Sequence, residues 1–378
     1  STYTQLTVAG AVNLTGVDLI LSGSHTPIIG QTFTIVDNDG ADAVVGTFTG
    51  LTEGAYIGSF LGSGLTAQIS YLGGTGNDVV LTVVQADYTI TTTGNAIVIT
   101  DVSGNGDVLN VSESGSDIRF EVTPNTRSYS IDGGPITTFT TPADVALAGA
   151  MSITINAEEG DDNINMGEFS MNNLPSLTVN GGTGDDEVYF GGGINFAADA
   201  NLDVDLQDDD ATPGTDRVEV NLNAELLLSG TGSATIKVSR DVLLNSGAVI
   251  ETANGDLTVE ANQQATPTSG GFVGVDVDGG SIKITGTGIL TVKGRGGNSG
   301  SDQYGVQARN GGKIEGGSGL VTVQGTGGAA SGEFNYGVYV LGTDSRITSS
   351  GGDVSVTGQG GGTGASESNF EVYVASLG

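Results

Sequence analysis

The sequence predicts an all-β chain whose short strands stack at a fixed period. Its expected architecture is a right-handed parallel β-helix with coils of about 24–33 residues, preceded by a strand-rich N-terminal module. Three observations predict it. Apolar residues alternate at the two-residue period of strands from end to end, as in TQLTV, QTFTIVD, AIVITD, SLTVN and ATIKV, while helical periodicity is nearly missing. Glycine supplies 65 of 378 residues, more than twice the usual share of about 7%, and it gathers with Asn and Asp in turns between the strands. The strands also recur. SITINAEEGDDNI at 152–164 aligns without gaps on SLTVNGGTGDDEV at 176–188, an offset of 24.

Taken in order, residues 1–84 read as a β-rich module without an obvious internal period, ending in YLGGTGNDVVLTVV. Residues 85–150 are an irregular β segment, expected to hold early coils. Residues 151–222 are the acidic coils that carry the 24-residue offset. In residues 223–378 the period lengthens: Leu257, Leu290, Val321 and Val354 fall 33, 31 and 33 residues apart, and Ile282, Ile314 and Ile347 follow at 32 and 33. Phe272, Tyr304, Tyr336 and Phe370 form a third series. A strand that cannot bury its apolar face alone does so when like residues stack above like, at the ~4.8 Å spacing of neighbouring strands. Sandwich strands show no such fixed period. The last strand, FEVYVASLG, has no polar cap after it, so a further coil is expected beyond residue 378, from a longer chain or a neighbouring copy.

The formal net charge is −33. Residues 1–278 hold 37 acids against 5 bases, the first of them Arg119, whereas residues 279–378 hold 7 acids against 6 bases. Such a polyanion repels nucleic acid and anionic membranes and attracts cations. No stretch reads as a signal peptide or membrane span. Cysteine is absent, which is neutral about redox compartment.

Two stretches fit the nine-residue pattern G-G-x-G-x-D-x-U-x: GGTGNDVVL at 73–81 and GGTGDDEVY at 181–189. A third, EEGDDNIN at 158–165, keeps Gly160, Asp162 and Ile164. These resemble hemolysin-type calcium-binding repeats, although here the copies are not consecutive nonapeptides. The resemblance implies calcium, held by Asp78 and by the stacked pairs Asp161–Asp162 and Asp185–Asp186. Asp208, Asp209 and Asp210 are expected one coil further on, which adds Asp209 and Asp210 to the ligand set. Residues 155–219 contain 16 acids and a single base, Arg217. Carboxylates stacked about 5 Å apart repel unless they are protonated, bridged by a cation or splayed into water. Calcium's six to eight oxygen ligands in flexible geometry suit such a ladder.

In the first 84 residues, FTIVD, GTFTGLTEGA and ISYLGGTGNDVVLTV follow one another as in the strand-rich modules of large autotransporter-like bacterial surface proteins. The repeating part is similar in pattern to filamentous-haemagglutinin-like adhesins. These resemblances imply an extracellular, cell-surface location and a structural, adhesive role in a fibre, adhesin or surface layer. The implied partners are further coils, copies of the chain and surface polysaccharide. Catalytic signals are poor: one histidine, His25, stands in a loop-like stretch, and there is no cysteine nucleophile and no G-x-S-x-G elbow. The expectation is therefore a protein that is not an enzyme. The alternative is a carbohydrate-active β-helix enzyme, a polysaccharide lyase or a glycosidase with two carboxylates.

Overall fold

A computed structural model describes residues 3–375 except 39, 41, 64, 208–213 and 365. Among the described residues there is no α-helix, only strands and two short 3₁₀ turns. The chain divides into two compact units, Ser1–Thr92 with Thr126–Thr140, and Thr93–Asn125 with Thr141–Gly378. The first unit runs past residue 84 to Thr92 and takes in Thr126–Thr140.

The second unit is built from three long sheets whose strands are mostly parallel. The first sheet takes, in order, Ala96–Asp101, Ser152–Asn156, Ser176–Asn180, Leu202–Leu206, Ala234–Val238, Leu257–Ala261, Leu290–Arg295, Val321–Thr326 and Val354–Gln359. The second runs through Val108–Ser114, Asn163–Met166, Glu187–Phe190, Arg217–Val220, Asp241–Leu244, Val275–Asp278, Val306–Arg309, Val338–Leu341 and Val372–Ala375. The third runs from Phe169–Leu174 through Ile194–Phe196, Glu225–Leu228, Val249–Thr252, Ser281–Ile284 and Lys313–Gly316 to Arg346–Ser349. Between residues 152 and 349 the chain visits the three sheets in turn; Ala96–Asp101 with Val108–Ser114, and Val354–Gln359 with Val372–Ala375, have no third-sheet companion among the described strands.

Alternation explains why these segments are strands and what they bury. In Ser152–Asn156 the two isoleucines point inward and Ser, Thr and Asn point out. Register then stacks like on like: Leu257 pairs with Leu290, Leu290 with Val321 and Val321 with Val354, while Ile282, Ile314 and Ile347 align in the third sheet. The 24-residue offset is likewise real, Ser152–Asn156 lying residue for residue on Ser176–Asn180. Tyr304 and Tyr336 stack with centroids 5.4 Å apart, and Tyr336 meets Phe370 at 5.6 Å. Glycine fills positions where layers touch backbone to backbone: a Cβ on Gly325 would fall 1.9 Å from the Gly337 carbonyl oxygen.

The start of this unit is less regular than the rest. Ala96–Asp101 pairs with Ser152–Asn156 in parallel, but Val108–Ser114 turns back as an antiparallel hairpin with Asp117–Thr123, which Ala143–Ala146 then extends.

The first unit has its own core around Phe33, Val36, Phe48, Phe60, Ile69 and Leu81. Its sheet is mostly antiparallel, with Asp78–Val84 central between Thr32–Asn38 and Thr66–Gly73. At one edge, however, Leu6–Val8 runs parallel to Thr32–Asn38, and Asn13 bridges Val45 in the same sense. Residues 6–8 therefore lie along residues 36–38, a stacking that no repeated apolar run announces.

Candidate functional site

The Gly-Asp motifs of the acidic layers lie in the turns between the first and second sheets. Gly181–Asp186 links the first-sheet strand Ser176–Asn180 to the second-sheet strand Glu187–Phe190, and residues 157–162 make the same turn one layer earlier. The turns stack through backbone hydrogen bonds. The Thr183 N–H donates to the Glu158 carbonyl at 2.6 Å and the Gly160 N–H donates to the Thr183 carbonyl at 2.9 Å. Gly182 has φ 93°, and a Cβ there would lie 1.8 Å from the Glu158 carbonyl oxygen. Glu158, its counterpart, holds a left-handed φ of 70° itself, so the turn survives where the glycine is missing.

The aspartates form two ladders that point in opposite directions. On the inner one, each carboxylate accepts from the backbone of the layer before. The Asp107 N–H donates to Asp162 Oδ1 at 2.8 Å, the Asp162 N–H to Asp186 Oδ1 at 2.9 Å and the Asp186 N–H to Asp216 Oδ1 at 2.8 Å. The Asp216 N–H donates to Ser239 Oγ at 3.0 Å, ending the series. On the outer, exposed ladder the Asp185 N–H donates to Asp161 Oδ1 at 3.0 Å and the Thr215 N–H to Asp185 Oδ1 at 2.8 Å. Asp78, in the first unit, accepts from the Asn38 N–H at 2.8 Å and the Thr75 N–H at 3.3 Å.

Asp162, Asp186 and Asp216 are buried. Burial pushes the Asp162 carboxyl up to about 7 against the Asp107 N–H, and the negative charges of Asp186, Asp101 and Asp107 add to the rise. Burial does the same to Asp216, again to about 7, against the bonds from Ser239 and the Asp186 N–H. Asp162 Oδ2 is buried without a partner.

The expected pairing of Asp161–Asp162 with Asp185–Asp186 one layer apart is what the register shows. Asp162 and Asp186 turn inward, Asp161 and Asp185 stay on the exposed ladder, and each spends an oxygen on a backbone N–H. Among the described residues, no group of three or more His, Asp or Glu side chains is placed to hold a metal ion. Asp209 and Asp210, with Asp208, lie outside the described residues. The next inner position is taken by Asp216, whose carboxylate accepts from the Asp186 N–H. The signal was present in the sequence: DRVEV at 216–220 repeats DEVYF at 186–190 and DNINM at 162–166.

The single base of this segment, Arg217, faces outward to Glu219 at 2.9 Å, Asp241 at 3.2 Å and Glu187 at 3.6 Å. An open groove crosses the third sheet between Asn195, Glu225, Glu251, Lys283, Lys313 and Glu315. There Lys283 pairs with Glu251 at 3.0 Å and Arg346 with Glu315 at 2.6 Å. His25 sits in the first unit with Nε2 at 2.9 Å from Gln31 Oε1. Comparison with family models, with curated proteins and with solved structures finds no match for this chain.

Proposed function

We propose that the second unit is a right-handed parallel β-helix and that the chain is an extracellular structural protein. In this reading it is part of a bacterial surface fibre, adhesin or surface layer, and it works by stiffness and display rather than by catalysis. The observation that carries the proposal is the long succession of parallel neighbours in three sheets between residues 152 and 375, with a register shift at Phe169–Leu174 in the third. Many side chains that could do chemistry are spent on neighbouring strands: Asp162, Asp186 and Asp216 on backbone N–H groups, and Lys283, Lys293, Arg309 and Arg346 on carboxylates of adjacent strands. The partners in this reading are further coils, end to end, and surface polysaccharide contacted by the Gly/Ser/Asn-rich loops.

The alternative, a carbohydrate-active enzyme, would use the third-sheet groove. Two of its three glutamates are held in ion pairs, which supports the structural reading over a free carboxylate pair. Incubation with a panel of polysaccharides, scored both for retention of the protein and for new reducing ends, separates the two. Retention without reducing ends is the expected result. Release of reducing ends, lost in Glu225→Gln, would overturn it.

A further inference from the structure

The groove on the third sheet holds charges that the fold does not use. Residues alternate in and out along its strands, and register lines the outward ones into two columns. In one, Leu227, Glu251, Lys283 and Glu315 follow one another on successive strands. Its charges are spent, Lys283 on Glu251 at 3.0 Å and Glu315 on Arg346 at 2.6 Å. The other column runs through Glu225, Val249, Ser281 and Lys313. Among the described residues, the side chains of Glu225 and Lys313 have no ion-pair or hydrogen-bond partner. Between them Ser281 Oγ is buried and also unpartnered, an unfavourable state for a hydroxyl. The groove lies inside the repeat. Each strand from Ile194–Phe196 to Lys313–Gly316 has a hydrogen-bonded neighbour on both sides.

The chemistry of the lining selects the occupant. Glu225 and Lys313 stand three strand spacings apart, about 14 Å, so a ligand that meets both is extended. The Lys313 ammonium donates to an anion, while the Glu225 carboxylate accepts from hydroxyl groups. Half-buried Val249 and Leu227 lie between and offer an apolar floor to C–H faces. The lining, around about 690 Å³, carries three glutamates against two lysines. A ligand charged on every unit is therefore repelled, and one with isolated anionic groups is not. A chain of hydroxyl-bearing rings with a carboxylate at intervals meets all these conditions. Resting on the structural reading above, we infer that this groove binds a polysaccharide whose acidic sugars are spaced by neutral ones. A uronate carboxylate sits on Lys313, and sugar hydroxyls meet Glu225 and Ser281.

Calorimetric titration of the whole chain with hyaluronan oligosaccharides, in which a uronate alternates with a neutral N-acetylated sugar, tests this. The expected result is saturable binding that weakens roughly tenfold or more in Lys313→Gln, since a charge-assisted hydrogen bond is lost. Lys313→Arg keeps the charge and should keep the binding. The carboxyl-reduced oligosaccharide should bind wild type and Lys313→Gln equally. Lys237→Gln makes the same charge change on the first sheet and should bind like wild type. Melting curves that match wild type confirm that the variants are folded. No binding by wild type, equal loss in Lys313→Gln and Lys237→Gln, or tighter binding of dextran sulfate would overturn the site. Cleavage of the oligosaccharide would instead overturn the structural reading and leave the Lys313 contact standing.

Discussion

At the scale of single residues, the inner aspartates set how the protein responds to pH. Asp162 and Asp216 titrate near 7 in the folded chain and near 3.8 when unfolded, because burial disfavours their charged forms. A group whose folded value is raised stabilises fully below its unfolded value, and that stability is lost as pH rises through the folded one. Stability should therefore fall between about pH 4 and pH 7, by up to about 1.4 kcal/mol per pH unit for each group that titrates independently. Burial also raises Asp203, Asp241 and Asp276, which adds to the same trend. Asp162→Asn keeps an oxygen for the Asp107 N–H and carries no charge, so combining it with Asp216→Asn should flatten the slope and raise the melting temperature at pH 7.5. Urea unfolding at pH 4.5 and 7.5 reads this directly; a double variant with the wild-type slope would refute the assignment.

At the scale of strands and turns, position in a column matters more than residue type. Val321 and Val354 share one column, yet only Val321 has a layer on both sides. Val321→Asp buries an unpaired charge and should unfold several layers, at a cost of roughly 3 kcal/mol or more. Val354→Asp, at the open side, should cost about 1 kcal/mol or less. Parallel thermal melts of the two variants are the check, and equal destabilisation would contradict the column. These columns were legible in the sequence because each apolar series repeats at a near-constant spacing. The acidic turns were legible as turns, and their offset of 24 as stacking, but not the direction of the carboxylates. Whether an aspartate faces water or caps a backbone donor depends on the layer beneath it, which spacing alone does not reveal. Asp216 was missed because three consecutive aspartates upstream drew the alignment onto themselves. The parallel edge of the first unit was missed because Leu6 and Val36 stack without a repeated motif around them.

At the scale of the whole molecule, the charge of −33 is carried almost entirely by residues 1–278. Self-repulsion of this kind weakens a compact state and is screened by salt. Raising sodium chloride from 0.02 to about 0.5 M, which shortens the screening length severalfold, should raise the melting temperature. Hydrogen exchange should place the gain in the acidic layers between residues 151 and 222 rather than in layers beyond residue 279. A uniform gain along the chain would point to a general salt effect instead.

The chain passes between the two units three times, since residues 126–140 belong with residues 1–92. In that first unit Ser128–Ile131 pairs with Tyr88–Thr91, and Phe139 packs against Tyr88 with ring centroids 5.6 Å apart. A single genetic crossover near residue 92 would therefore strand a segment from its partners, and neither unit can be inherited as one uninterrupted block of codons. Beyond residue 151 the situation reverses. Each layer is contiguous in the gene, so duplication or loss of a whole layer changes the length in steps of about 24 to 33 codons while keeping every column in register. Natural variation in the length of this chain should accordingly be quantised in its later part and rare in its first 150 residues.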